Sequence, residues 1–241
     1  MSGQGMFSGK VVVVTGASSG IGRATALGFA REGASLVLVS RDQAALEAVA
    51  NEAGGPAVVV AADVMAADTP ARVVAAAVGQ FGGIDVLVNA AGIIGTAATD
   101  QTPDELFDRM FAINVRAPFR LMREAFPHIK ARQGNVVNVS SVNGPRAASP
   151  ARGRLLLEQG RPRSPHALRR ARLSAARRAR MNCVNPGVTV TSLHRRGGMD
   201  ETRYAAVSSS AQKETHPLDV PAAPRRSPTA VLFVASTRRA G

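Results

Sequence analysis

The apolar positions of the chain follow two alternating patterns. Short continuous runs, most of them rich in valine, begin near residues 11, 35, 57, 84 and 135, and segments with helical spacing lie between them. Continuous apolar runs bounded by turn residues are typical of strands that are covered on both faces. Strands that alternate with helices need crossover connections and therefore pair in parallel. The pattern predicts an α/β fold with one doubly wound parallel sheet between two layers of helices.

We expect strands over residues 11–14, 35–40, 57–61, 84–88 and 135–142 and a sixth strand from 182. The expected helices start after the glycines near 20, at Gln43, at Thr69 and near Thr102. A chain of 241 residues is within the usual size of one undivided α/β domain. We therefore expect residues 1–241 to form a single domain.

The first predicted strand runs directly into a turn with three glycines, Gly16, Gly20 and Gly22. Backbone N–H groups can approach a pyrophosphate closely only where side chains are absent, and the start of a helix favours an anion. The position between a strand and a helix therefore indicates a dinucleotide site. The alternative is an ordinary glycine-rich turn, because the spacing G-x-x-x-G-x-G differs from the common G-x-G-x-x-G fingerprint.

The stretch from Thr15 to Gly22, T-G-x-x-x-G-x-G, resembles the cofactor turn of the short-chain dehydrogenase/reductase family. A second similar motif is the N-A-A-G of residues 89–92, directly after the fourth predicted strand. The resemblance covers residues 7–145 and resumes over 182–218. It implies a Rossmann-like fold and hydride transfer between a nicotinamide cofactor and a small-molecule carbonyl or secondary alcohol. The chain most resembles members such as 3-oxoacyl-acyl-carrier-protein reductases and glucose dehydrogenases. This resemblance implies a dimer or a tetramer.

The resemblance also assigns roles to individual residues. Ser141 matches the serine that hydrogen-bonds the reacting carbonyl oxygen, and Asn114 matches a helical asparagine that holds a water linked to the catalytic lysine. The alternative for Asn114 is a side chain that bonds its own helix. The residues expected to contact the cofactor are Gly16, Ser18, Ser19, Gly20, Ile21, Gly22, Arg41, Asp63, Val64, Asn89, Ala90, Gly92, Pro186, Gly187, Thr189 and Thr191.

Arg41 decides between the two nicotinamide cofactors. In the family, an acidic residue at the end of the second strand favours NAD, and a neighbouring arginine favours the 2′-phosphate of NADP. Here Ser40 ends the strand and Arg41 follows it. A guanidinium can clamp a phosphate, so we expect NADP, with NAD as the alternative.

The chain departs from the family where the Tyr-x-x-x-Lys motif should follow Ser141. Residues 154–159 read Arg-Leu-Leu-Leu-Glu-Gln, the single tyrosine is Tyr204, and the lysines are Lys10, Lys130 and Lys213. A reading frame displaced by one nucleotide permits tyrosine at 155 and lysine at 159, followed by a family-like helix. Residues 145–181 and 219–241 are therefore interpreted as frame-shifted, and we expect the family's last strand to be missing. The alternative is a catalytically inactive protein that still binds dinucleotide.

The net charge of +13 belongs to part of the chain. Residues 145–180 hold eleven arginines against Glu158 alone, whereas residues 1–144 hold eleven basic and twelve acidic residues. A nucleic-acid-binding arm is the alternative interpretation of the arginines, but residues 145–180 contain no aromatic side chain on which a base could stack. We therefore expect no nucleic-acid partner.

Location and metal content follow from what the sequence lacks. No apolar run is long enough to span a membrane, the first residues show no secretory pattern, and Cys183 is the only cysteine. We expect a cytoplasmic protein with no membrane partner and no metal site.

Overall fold

The computed structural model describes residues 5–95, 101–141, 179–187, 193 and 226–236. Within them, six strands form one sheet in the order β3-β2-β1-β4-β5-β6, and every neighbouring pair is parallel. The prediction of a doubly wound parallel sheet is confirmed. The strands are β1 (Val11–Thr15), β2 (Ser35–Ser40), β3 (Ala57–Ala61), β4 (Val86–Asn89), β5 (Asn135–Val139) and β6 (Arg180–Val184).

Among the described residues, the helices lie between successive strands, except the last helix, which follows β6. They are α1 (Gly20–Arg31), α2 (Gln43–Ala53), α3 (Thr69–Phe81), α4 (Asp104–Phe111), α5 (Ala117–Ala131) and α6 (Arg226–Ala235). A π-helical turn over Ala112–Arg116 joins α4 to α5. Local sequence explains several of these bounds. Asp42 accepts a hydrogen bond from the Ala45 N–H at the start of α2, and Gly54 ends that helix in the left-handed conformation.

The two faces of the sheet are covered by different helices. Side chains of β1 and β2 alternate between two buried clusters, with Val12 and Val14 in one and Val11 and Val13 in the other. The first cluster includes residues of α1, α2 and α6, and the second includes residues of α3 and α5. This gives the predicted three-layer α/β/α arrangement, in which both faces are dry and the strand ends are left for chemistry.

Five predicted strand bounds need correction. β1 ends at Thr15 and not at 14, and β4 covers Val86–Asn89 and not 84–88. β5 ends at Val139 and not at 142, and β6 begins at Arg180 and not at 182. The ladder between β4 and β5 opens with Val86 opposite Asn135, and the ladder between β5 and β6 runs from Asn135 and Arg180 to Val139 and Val184. Pairing between strands sets these ends, and the sequence pattern does not show it: Ile84 is apolar but precedes the ladders, whereas Arg180 is polar and pairs with Asn135.

Several expectations lie outside the described residues. They concern the arginine-rich segment up to 178, the displaced-frame region 155–160 and most of 219–241. Among the described residues, no helix combines the length and the apolar character needed to cross a membrane.

Candidate functional site

The carboxyl ends of β1, β2, β4 and β5 lie side by side at one edge of the sheet. Thr15 pairs with Val39 on one side and with Asn89 on the other, and Asn89 pairs in turn with Asn138. In doubly wound sheets, ligands bind outside this edge, where the strand order reverses. The reversal here is between β1 and β4. The glycine turn and the N-A-A-G loop both leave the sheet at this point.

The glycine turn packs so closely that side chains would not fit. Gly16 has φ of +69°, and a Cβ at this position would lie 2.8 Å from the Ala91 nitrogen. A Cβ at Gly22 would overlap with the carbonyl oxygen of Gly16. Helix α1 starts at Gly20 with no acidic residue in its first turn. Backbone and helix N-terminus therefore form a cradle that suits an anion, and the pyrophosphate of a dinucleotide fits it.

Thr15 fastens the loop after β4 to the end of β1. Its hydroxyl oxygen accepts hydrogen bonds from the backbone N–H groups of Ala90 and Ala91, both at 3.1 Å. The side-chain amide of Asn89, which is buried, donates to the Asn138 side-chain oxygen at 2.8 Å. The bonds to Thr15 satisfy backbone groups where the strands end, and together with the Asn89–Asn138 pair they hold the loop beside Gly16.

Asn114 holds the same loop from the other side. It lies in the π-helical turn and is only 4% exposed. Its side-chain oxygen accepts from the Ile93 N–H at 3.0 Å, and its amide donates to the Ile93 carbonyl at 2.9 Å. The side chain therefore bonds the loop after β4 rather than its own helix, and the alternative that we weighed for this residue is wrong. The water link to a lysine stays a prediction.

The end of β2 presents one exposed cation. The hydroxyl oxygen of Ser40 accepts from the Asp42 N–H at 3.2 Å, and the Asp42 carboxylate is turned to the Ala45 N–H at 3.0 Å. Arg41, between them, is exposed. The acidic neighbour is thus engaged in capping α2, which leaves the Arg41 guanidinium at the carboxyl edge to meet an anion.

Asp63 and Val64 follow β3 at the same edge. The carboxylate of Asp63 accepts from the Met65 N–H at 2.9 Å, and its carbonyl accepts from the Thr69 hydroxyl at 2.6 Å. Val64 lines a small, mostly apolar pocket together with Thr15, Asn89, Ala91 and Ile113. Both residues therefore lie at the carboxyl edge, where the loop after β3 is held by its own hydrogen bonds.

The structure brings most of the other predicted residues to this edge. Ser18, Ser19 and Ile21 belong to the glycine turn, and Gly92 follows Ala91 in the loop. The Ser140 N–H donates to the Val184 carbonyl at 2.8 Å, so Ser141 leaves the sheet beside the strand that leads to Pro186 and Gly187. Thr189 and Thr191 lie outside the described residues.

Two participants escaped the sequence reasoning. Asn138 is the partner of Asn89, and the backbone of Ile93 is the partner of Asn114. The signal for Asn138 was present, because it is a polar residue between two valines of a strand. Nothing in the sequence marks a backbone acceptor such as Ile93.

Comparison with known proteins agrees with this geometry. The profile of the short chain dehydrogenase family matches residues 10–151. An uncharacterised oxidoreductase from Methylorubrum extorquens is 38% identical over 199 residues, which cover 76% of this chain and 74% of that protein. The chain spans a smaller share, 47–59%, of three other curated relatives.

Solved structures share the fold across almost the whole chain. A short-chain dehydrogenase/reductase of unknown function from Caenorhabditis elegans, with cofactor, superposes with a TM-score of 0.86 at 30% identity and covers 95% of this chain and 89% of its own. A 3-ketoacyl-(acyl-carrier-protein) reductase from Brucella melitensis complexed with NADH gives 0.83 at 30% identity, covering 96% and 92%. The chain belongs to the short chain dehydrogenase family.

Proposed function

We propose that this chain is built as an NADP(H)-dependent oxidoreductase that acts on a carbonyl or secondary alcohol. The observation that carries the proposal is the backbone cradle of the glycine turn before α1, where Gly16 and Gly22 pack against neighbouring backbone with no room for a side chain. Such a cradle at the start of a helix suits the pyrophosphate of a dinucleotide. The NADH bound to the structurally similar Brucella reductase supports the same cofactor class.

Arg41 selects NADP over NAD in this proposal. The Asp42 carboxylate is held by the Ala45 N–H, so it does not stand ready to bind the two hydroxyls of an unphosphorylated ribose. Arg41 is exposed directly beyond Ser40, where a guanidinium would form charge-assisted hydrogen bonds to a 2′-phosphate.

Replacing Arg41 tests this assignment. Arg41→Ala should weaken NADPH binding about tenfold or more, because a hydrogen bond to a charged group contributes about 1.5–3 kcal/mol. NADH affinity should stay nearly unchanged, since NADH has no 2′-phosphate. The measurement is a fluorescence titration of each reduced cofactor, with Arg31→Ala, at the other end of α1, as the control. Equal losses for both cofactors would remove Arg41 from this role.

The part of the site beside the end of β5 would hold the substrate. When bound, NADPH supplies a hydride to the carbonyl carbon. Ser141, which follows β5 at the same edge, would donate a hydrogen bond to the carbonyl oxygen, and Asn114 would position the loop that borders the site. We propose a ketoreductase, and the 3-ketoacyl name of the Brucella relative supports that substrate class.

The presence or absence of a proton donor distinguishes the active oxidoreductase from the inactive dinucleotide-binding protein. Leu155, Leu156 and Gln159 cannot donate a proton of suitable pKa, and positioned acid catalysis contributes about 10²–10⁴ in rate. We expect the protein with the present sequence to show negligible turnover. A variant in which residues 155–179 are replaced by those of the displaced frame, including Leu155→Tyr and Gln159→Lys, should reduce ketones.

The assay is NADPH consumption with a panel of ketones and β-ketoesters. The matched control carries Leu155→Phe in the same displaced-frame background, which keeps the ring and removes the hydroxyl. Activity confined to the tyrosine variant supports the oxidoreductase, and inactivity of all three proteins that still bind NADPH favours the inactive dinucleotide-binding alternative. Robust turnover by the unaltered sequence would contradict the expectation. The first residue to replace would then be His166, because histidine is a common proton donor near neutral pH.

The remaining elements of the proposal concern context. Residues 1–241 act as one domain, the protein is cytoplasmic, and it forms a homo-oligomer of two or four copies, as is common among soluble enzymes.

A further inference from the structure

The loop between β3 and α3 is held in place by one buried hydroxyl. Thr69, the first residue of α3, is 3% exposed, and its hydroxyl donates to the Asp63 carbonyl at 2.6 Å. The same carbonyl accepts from the Ala66 N–H at 3.0 Å, and the Asp63 carboxylate accepts from the Met65 N–H at 2.9 Å. Asp63 therefore forms a tight turn, and Thr69 ties that turn to the start of the helix.

Thr69 directs its hydroxyl to the loop rather than to its own helix. The N-cap of α3 is Asp68, whose carboxylate is exposed and lies 3.6 Å from the Arg72 guanidinium. Pro70 follows Thr69 and has no N–H to be capped. At the start of a helix a threonine hydroxyl usually accepts from a backbone N–H, whereas here it donates to a carbonyl of the loop. The bond therefore serves the turn around Asp63.

This turn lies next to the position proposed for the 2′-phosphate. Ser40 pairs with Ala61 at the end of the ladder between β2 and β3, and its carbonyl accepts from the Ala62 N–H at 2.8 Å. Arg41 follows Ser40, and paired strands lie about 5 Å apart. The 2′-phosphate and the base of a nucleotide are attached to adjacent carbons of one ribose. A phosphate on Arg41 therefore brings the base within reach of this turn, where Val64 lines a small pocket.

We propose that Thr69 is a positioning residue for the half of the cofactor that carries the 2′-phosphate. Its hydroxyl holds the turn of Asp63 and Val64 in the shape against which the base of that nucleotide binds. Thr69 acts through Asp63, because its own side chain is buried and bonded to that residue. The inference rests on the proposed dinucleotide binding. It limits the effect of Thr69 to one half of the cofactor, since the nicotinamide half would lie towards Ser141 after β5.

Calorimetric titration with two ligands tests this role. Adenosine 2′,5′-bisphosphate carries only the base, the ribose and the phosphates of this half, whereas NADPH carries both halves. Thr69→Val removes the hydroxyl and keeps the shape of the side chain, so the affinity for both ligands should fall by the same factor, about three- to tenfold. Thr69→Ala, which needs no extra room, should repeat this loss. Thr69→Ser keeps the hydroxyl and should retain the wild-type affinities.

The matched control is Val73→Ala on the same helix. Val73 is fully buried, so its replacement should lower the thermal midpoint of unfolding at least as much as Thr69→Val does and leave both affinities unchanged. Unchanged affinities in Thr69→Val, unequal losses for the two ligands, or a loss of the same size in Thr69→Ser or Val73→Ala would overturn the positioning role while the proposed function stands. If the wild-type protein binds neither ligand, the proposed function fails and this inference fails with it.

Discussion

The two edges of the sheet are built from different chemistry. At the carboxyl edge, glycines and neutral side chains hold backbone groups in place, and Arg41 is an exposed cation of the candidate site. At the amino edge, the carboxylate of Asp85, with its side chain 5% exposed, accepts from the Lys10 ammonium at 3.0 Å and from the Arg132 guanidinium at 3.2 Å. It also accepts from the Val11 N–H at 3.0 Å. Charges that neutralise one another stabilise the fold, whereas the N-terminus of α1 and the exposed Arg41 at the other edge can serve an anionic ligand.

A second cluster at the amino edge also consists of polar groups that satisfy one another. Val234, near the end of α6, has a carbonyl that accepts from the side chains of Asn135, Arg180 and Asn182. Burial lowers the pKa of the Arg180 guanidinium from its usual value. Because a guanidinium stays protonated in proteins, its charge still complements the negative end of the helix. This cluster joins α6 to β5 and β6.

The largest loss of unfolding free energy is expected when Asp85, at the amino edge, is replaced. Asp85→Ala would leave the Val11 N–H buried without its side-chain acceptor and the two cations without their counter-charge. Removing one partner of a buried pair costs about 3–5 kcal/mol, and partial exposure of Lys10 and Arg132 places the expected loss near the lower end. Urea unfolding measures it.

The control for Asp85 is an exposed ion pair. Asp68 lies 3.6 Å from Arg72 with both side chains at least half exposed, so Asp68→Ala should change the unfolding free energy by less than about 1 kcal/mol. NADPH affinity should be unaffected in both variants under conditions where they are folded. A large affinity loss in Asp85→Ala would show that the two edges are not independent.

Thr15→Val should have an intermediate effect on stability and a clear one on binding. The variant keeps the shape of the side chain but removes the hydroxyl that accepts from the N–H groups of Ala90 and Ala91. An unsatisfied buried donor costs about 1–3 kcal/mol, and the looser loop should weaken NADPH binding. Calorimetry and a fluorescence titration measure the two effects. Thr15→Ser, which keeps the hydroxyl, is the control, and equal behaviour of the two variants would contradict the role of the hydroxyl.

These contacts also show what the sequence could predict. The bounds of β2, α2 and β3 agree with the structure, because Gly33, Asp42 and Gly54 are local stop and start signals beside strongly apolar runs. The glycine turn was predictable for the same reason, since its chemistry is contained in eight consecutive residues.

What could not be predicted depends on residues far apart in the chain. Asp85 binds the Val11 N–H across 74 positions, and Asn114 binds Ile93 across 21. The partner in both cases is a backbone group, which is the same at every position of a sequence. The π-helical turn that aims Asn114 has no sequence signal of its own. Only the packing of the helices against the sheet selects these pairs.

The smallest expected loss of stability comes from a glycine replacement, and it distinguishes strain in the backbone from lack of room for a Cβ. Gly54, where α2 ends at the amino edge, has φ of +65°, close to the +69° of Gly16, but no atom lies within 4 Å of a Cβ added there. Gly54→Ala should therefore cost only the left-handed strain, about 1 kcal/mol, and leave NADPH affinity unchanged. Gly16→Ala carries the same strain and also places its Cβ 2.8 Å from the Ala91 nitrogen, so it should displace the loop and lose affinity. Thermal unfolding and a cofactor titration of both variants make the measurement. Equal affinities would mean that the close packing of Gly16 against the Ala91 backbone does not shape the dinucleotide site, because both variants carry the same left-handed strain and only Gly16→Ala displaces the loop.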